Sequence, residues 1–136
     1  MERANNMRLV CVLALMLQLA LWLGAPGAVD AVTTPVCETS EGSPVSADCA
    51  LAINNLANLG TNKQCCNDNI FGSKCTDMTN YGTCKTSICI NLACEPCSVV
   101  VPYLRNMITK CGSGGRVGGY QYMNENSGLR LQLSHT

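Results

Sequence analysis

Four cysteines fall within the eighteen residues from Asn80 to Cys97, NYGTCKTSICINLACEPC, and the last two form a Cys-x-x-Cys pair. Cysteines so spaced serve three chemistries. A zinc site closes its tetrahedron with two Cys-x-x-Cys knuckles, or with one knuckle and a histidine pair. Only Cys94 and Cys97 have the knuckle spacing, and the single histidine, His135, lies next to the C-terminus. Cys84 and Cys89 on one strand would point to opposite faces, because their separation is odd, and could not share an ion. A redox-active Cys-x-x-Cys needs a strand-to-helix setting in a βαβ unit, which the flanks of Cys-Glu-Pro-Cys do not cleanly supply. A disulfide framework is the reading that fits, with no metal and no cofactor expected.

Catalytic constellations are as sparse. A serine or cysteine nucleophile needs a base held inside the fold, and His135 sits in a terminal tail. Carboxylate pairs for glycoside hydrolysis could be assembled, but Asp48 reads as a charge at a helix start and Glu38, Glu41 and Glu125 as loop solvation. The glycine-rich GSGGRVGG follows a helix pattern, where a phosphate loop would follow a strand, and it lacks the Gly-Lys-Ser/Thr ending. It reads as the turn from a helix into a hairpin. No catalytic, cofactor-binding or metal-binding residue is assigned, and no enzymatic activity is expected.

A disulfide framework requires an oxidising compartment. Arg3 and Arg8 precede the apolar VCVLALMLQLALWL, and the small residues of GAPGAVDA follow it, which is the pattern of a secretory signal, cleaved after Ala31 with a cut after Gly27 as the alternative. The run from Leu9 to Leu23 is shorter than the roughly 20 residues that span a bilayer. Residues 1–31 are therefore read as signal peptide and 32–136 as one cysteine-rich extracellular domain, without a transmembrane segment after processing. Losing the signal removes Cys11, so eleven cysteines become an even ten: Cys37, Cys49, Cys65, Cys66, Cys75, Cys84, Cys89, Cys94, Cys97 and Cys111. Ten cysteines admit about 945 pairings, and the sequence does not choose among them. Five bridges at roughly 2 to 4 kcal/mol each are comparable with the whole stability of so small a domain.

Charge serves as an exclusion. Beyond the signal, seven acidic side chains balance seven basic ones. A nucleic-acid binder would carry a basic excess and aromatic stacking faces, yet Trp22 leaves with the signal and only Phe71 and four tyrosines remain, so nucleic acid is not expected as a partner.

The elements that must position these cysteines can be read in order. Val32 to Thr39 is an irregular arm fixed by Cys37. A helix is expected over Ser43 to Gly60, with Ser43 as N-cap and Pro44 at the first helical position, Ser46 as a second candidate cap, and Asp48 near the positive end of the dipole. Val45, Cys49, Ile53 and Leu56 form its buried stripe, so Cys49 should staple the helix to the sheet. Thr61 to Asn80 reads as a loop, and the adjacent Cys65 and Cys66 should take different partners, since a disulfide prefers Cα atoms farther apart than neighbours lie. Tyr81 to Leu92 is a strand, and a second helix starts near Val99 so that Pro102 falls in its first turn, ending at Cys111. YQYM and the alternating LRLQLS make a hairpin around NENSG.

The sequence of pieces SPVSADCALAINNL, YGTCKTSIC, a helix ending in cysteine, GGRVGG and a closing LRLQLSHT resembles the secreted necrosis-inducing effector domain of plant-pathogenic fungi. That domain is in turn similar to the virally encoded killer toxin of smut fungi called killer protein four. The resemblance covers roughly residues 37–136. It implies an α+β fold, a small disulfide-rich α/β sandwich in which an antiparallel sheet carries two helices packed on one face. It also implies a secreted protein acting on other cells, by inhibiting calcium channels in the toxin and by provoking host cell death or antagonising competitors in the effectors. The neutral charge, the Cys65-Cys66 pair, Cys94 and Cys97 depart from the family pattern.

The expected function is thus that of a monomeric secreted effector or toxin that binds a protein or membrane-protein target on another cell, an ion channel among the candidates. Its surface would be pre-organised by bridges, so that little ordering entropy is lost on binding. Candidate contacts are Lys85 on the strand, Arg116 in the glycine-rich turn and Arg130 on the wet face of the last strand, against the background that surface cations are ordinary. The rival reading is a lipid carrier or surface-active coat protein. The spacing Cys37, Cys49, Cys65-Cys66 resembles the start of plant lipid-transfer proteins, and the paired cysteines resemble those of fungal hydrophobins. The later Cys-x-Cys of the first and the second cysteine pair of the other are missing.

Overall fold

The computed structural model describes residues 33–71, 74–124 and 128–136. The expected signal peptide, Val32, Gly72, Ser73 and residues 125–127 of the expected hairpin loop lie outside the described residues. Along the described chain come β1 (Val36–Cys37), α1 (Ser46–Ala57), β2 (Gln64–Asn67), β3 (Cys75–Tyr81), β4 (Cys84–Ile90), β5 (Ala93–Pro96), α2 (Cys97–Cys111), β6 (Gly119–Tyr122) and β7 (Leu129–His135). They build a five-stranded sheet of order β1-β6-β7-β4-β3 and a separate β2-β5 ribbon, with antiparallel pairing throughout. The result is the expected disulfide-rich α+β sandwich with both helices on one face.

Period-two alternation decides which face is covered. On β7, Leu129, Leu131 and Leu133 are buried while Arg130, Gln132 and Ser134 stay half-exposed. The leucines meet Ile53 and Leu56 of α1 and Val100, Leu104 and Met107 of α2 in one apolar cluster. Two polar side chains enter this layer with partners. The buried Thr86 hydroxyl lies 2.9 Å from that of Thr79, which donates to the Ala52 carbonyl at 2.9 Å and so ties β3 and β4 to α1. Gln121 accepts from Asn106 Nδ2 of α2 at 3.2 Å and donates to the Thr33 carbonyl.

All ten cysteines of the domain are paired: Cys37–Cys111, Cys49–Cys84, Cys65–Cys97, Cys66–Cys94 and Cys75–Cys89. Cys49 does staple α1 to the sheet, and Cys65 and Cys66 do take different partners. Cys94 and Cys97 each bond to one member of that adjacent pair, so the Cys-x-x-Cys spacing fastens the β2-β5 ribbon and the start of α2 together.

Several local expectations change. Ser43 does not cap α1, which starts at Ser46 behind Val45 and has no side-chain cap hydrogen bond. The segment before it is extended instead. Val45 bridges Arg116, Val117 N–H donates to the Pro44 carbonyl at 3.0 Å, and Val45 N–H donates to the Thr83 hydroxyl at 2.9 Å. Ser43 Oγ accepts from Ser40 N–H at 2.9 Å within that turn. Asp48 does stand in the first turn of α1, but its carboxylate also accepts from both Thr83 N–H and Thr83 O–H at 2.8 Å. The backbone donor first and the hydroxyl second hold its pKa below the ordinary 3.8. That carboxylate lies against Gly82 (φ +52°), where a Cβ would stand 2.6 Å from Asp48 Cγ, so the first position of the two-residue turn between β3 and β4 favours glycine.

The stretch 61–80 is not a loop: it holds β2 and most of β3. Both strands are polar, and their partners are covalently assigned, since Cys66 sits opposite Cys94 and Cys75 opposite Cys89 in the ladders. The expected strand from Tyr81 is two elements, because Tyr81 ends β3 and Gly82–Thr83 makes the turn. Finally α2 begins at Cys97, two residues before the expected start, which places Pro102 sixth in the helix. The Cys65 bridge and the Cys97 N–H bond to the Lys63 carbonyl at 2.9 Å anchor that earlier start. Ser98 and Pro102 are both exposed, so water can take the carbonyl that the proline leaves without a helical donor.

Candidate functional site

The sheet face turned away from the helices is covered by no element among the described residues. Register places its side chains in rows. Gln132 lies between Tyr120 and Ser87, with Asp77 beyond; Arg130 lies between Tyr122 and the Cys75–Cys89 bridge; Ser134 lies beside Lys85. Lys85 and Arg130, two of the three cations expected from sequence, therefore share one surface. They line a shallow cleft of about 280 Å³ with Asp77, Ser87, Gln132 and Ser134.

The two cations differ in their surroundings. Lys85 Nζ pairs with Asp77 Oδ2 at 3.4 Å, a solvent-facing contact worth about 0 to 1 kcal/mol. The other oxygen of Asp77 accepts from Ser87 Oγ at 2.7 Å. Arg130 is half-buried and has no carboxylate partner among the described residues. Its guanidinium carbon lies 5.0 Å from the centre of the Tyr120 ring, Nη2 donates to Gln132 Oε1 at 3.3 Å, and Nε is buried without a hydrogen-bond partner. Tyr120 is itself set edge-to-face against Tyr122, ring centres 5.9 Å apart. The guanidinium is thus held on an aromatic platform by residues of two paired strands.

Arg116 lies elsewhere. Ser113 and Arg116 exchange backbone hydrogen bonds of 2.9 and 3.0 Å across the glycine-rich turn, and the Arg116 guanidinium donates to the Ser43 carbonyl at 2.6 Å. That contact pins the segment before α1. His135 is exposed at the end of β7, its Nδ1 3.0 Å from the Thr136 carbonyl.

Sequence reasoning missed Tyr120 and Tyr122 as members of this face, although their i, i+2 spacing beside the alternating β7 was a usable signal. Asp77 and Ser87 could not be joined to them without knowing that β3 pairs with β4. A second surface feature emerged at the end of the sheet where the loops leaving β2 and β4 meet. Ile70, Phe71 and Leu92 are exposed there, Phe71 at 76%. The loop beneath them is built, with Phe71 N–H on Asn69 Oδ1 at 3.0 Å and Asn67 Nδ2 on the Lys74 and Asn91 carbonyls at 3.0 and 3.2 Å.

Compared with known proteins, the chain matches no protein family, no curated protein and no solved structure. Among the described residues, no helix is long and apolar enough to cross a membrane.

Proposed function

We propose that the protein is a secreted effector of killer-toxin-like type, acting as a monomer on other cells by binding a surface target, an ion channel among the candidates, through the helix-free sheet face. The observation that carries this reading is Arg130, held on Tyr120 and Gln132 with an unpartnered Nε in a face that no helix covers. Five bridges favour it further, because a domain with that many covalent ties suits an oxidising, extracellular setting and presents its surface with little ordering cost. Arginine and tyrosine are also the residue types that dominate binding energy at interfaces. The test applies purified, fully oxidised protein to fungal and plant cells across a dose series, scoring surface binding, growth and viability. Binding with altered growth or death supports the reading, and neither at any dose refutes it.

The surface-active reading has one observation in its favour, the exposed Ile70, Phe71 and Leu92 at the loop end. A surface-tension measurement separates the two, since a coat protein lowers the tension of buffer at concentrations where a monomeric effector leaves it unchanged.

A further inference from the structure

We propose that Arg130 and its tyrosine platform recognise a carboxylate carried by an acidic protein segment laid across the helix-free face. This deepens the binding role proposed above and rests on it. The cleft on this face is lined by the charged side chains Lys85, Arg130 and Asp77, while Glu38 lines the neighbouring hollow beside Gln132 and Ser134; Asp77 is engaged by Ser87 at 2.7 Å and Lys85 at 3.4 Å. Among the described residues Arg130 makes no ion pair, so its charge is the one in the cleft left for a partner to meet. A guanidinium offers five N–H donors in a planar fork that matches a carboxylate, and among the described residues this fork meets a single acceptor, Gln132 Oε1.

Geometry favours a protein partner over a lipid headgroup. The tyrosine-arginine cluster stands on paired strands, with the Cys75–Cys89 bridge alongside, so the fork is fixed before binding. The apolar side chains that insertion into lipid would use, Ile70, Phe71 and Leu92, belong to loops at the sheet's end, whereas the face itself offers tyrosine, glutamine and serine with a single exposed aliphatic residue, Val36, at its β1 edge among the described residues. A row running from Tyr120 through Gln132 to Ser87 and Asp77 can receive an extended acidic segment, with Arg130 beside it taking the carboxylate.

The experiment titrates isotope-labelled, oxidised secreted protein with the peptide acetyl-Gly-Glu-Glu-Tyr-Glu-Glu-Gly-amide and with its counterpart carrying glutamine for every glutamate. Readouts are the NMR signals of Arg130 Nε–H, the Gln132 side-chain amide and the Tyr122 amide. Saturable shifts with the acidic peptide alone, weakened at least about tenfold in R130Q and less in R130K, support the proposal. Peptide mapping of the five bridges confirms that each variant is folded, and the two-peptide comparison on the unsubstituted protein stands even where R130Q fails to fold. No shift, equal shifts with the glutamine peptide, or unchanged binding by R130Q overturns the proposal. The same saturation with sodium acetate or inorganic phosphate would mean an adventitious anion only, and shifts produced by phosphatidylserine vesicles but not by peptide would mean a lipid surface; either overturns it. No cells enter this experiment. A protein active on cells but silent toward the peptide loses the carboxylate proposal and keeps the binding role, while one inactive on cells loses the role whatever the peptide does.

Discussion

Replacing Cys49 and Cys84 together by alanine tests how the two layers are joined. Their bridge is a direct covalent tie between α1 and β4, the strand between β7 and β3, and both cysteines are fully buried. Closing its 35-residue loop removes about 3.8 kcal/mol of denatured-state entropy in the chain-entropy model. The other four bridges already confine the denatured chain and reduce that figure, whereas the void left by two buried sulfurs adds to the loss, so a net destabilisation of about 3 to 4 kcal/mol is expected. The Cys75–Cys89 bridge closes only 14 residues within one hairpin, and the same model gives about 3 kcal/mol before the same reduction. Urea unfolding of the oxidised variants, followed by circular dichroism, should therefore rank the first pair as the more damaging. The slope of free energy against urea should rise in both, because a less confined denatured chain exposes more surface. A loss below about 1 kcal/mol for the Cys49/Cys84 pair, or the reverse ranking, would refute the claim that this bridge joins the layers.

Four further substitutions probe the frame around the site. Thr83→Val leaves the Val45 N–H without its acceptor and should cost about 1 to 3 kcal/mol in the same unfolding assay. Asp48 has a folded-state pKa below its ordinary 3.8, so its contribution to stability is present above that value and is lost as pH falls through the folded one. The difference in Tm between the parent and Asp48→Asn should accordingly be largest near neutrality and shrink below about pH 4. Gly119→Ala places a Cβ against the Val36 carbonyl at φ +145°, so it should cost about 2 kcal/mol or more and speed hydrogen exchange where β1 meets β6. Leu131→Ala, at the buried centre of β7, should cost about 2 to 5 kcal/mol by calorimetry.

The parts of the fold that were legible in the sequence are those whose burial is written as a period. Cys49, Ile53 and Leu56 marked the buried stripe of α1, Leu129, Leu131 and Leu133 marked the inner face of β7, and both patterns follow from one buried side per element. β2 and β3 were hidden because QCCN and CTDMTNY are polar, and what organises them is the placing of Cys66 opposite Cys94 and Cys75 opposite Cys89, a long-range fact. The start of α1 was misread for a similar reason. Ser43 and Pro44 look like a cap, yet the extended partner at Arg116 and the Thr83 hydroxyl satisfy the backbone groups that a cap would have served. Of the candidate site, Lys85 and Arg130 could be named from alternation alone, but their sharing a face with Tyr120 depends on the β6-β7-β4 order.

The measurement that tests the whole account most directly is peptide mass mapping, without reduction, of the chain recovered from the medium of cells expressing all 136 residues. The account predicts a secreted chain beginning at Val32 with Cys37–Cys111, Cys49–Cys84, Cys65–Cys97, Cys66–Cys94 and Cys75–Cys89 joined and no free thiol. Retention inside the cell, several unpaired cysteines, or thiolates holding a metal ion would contradict it.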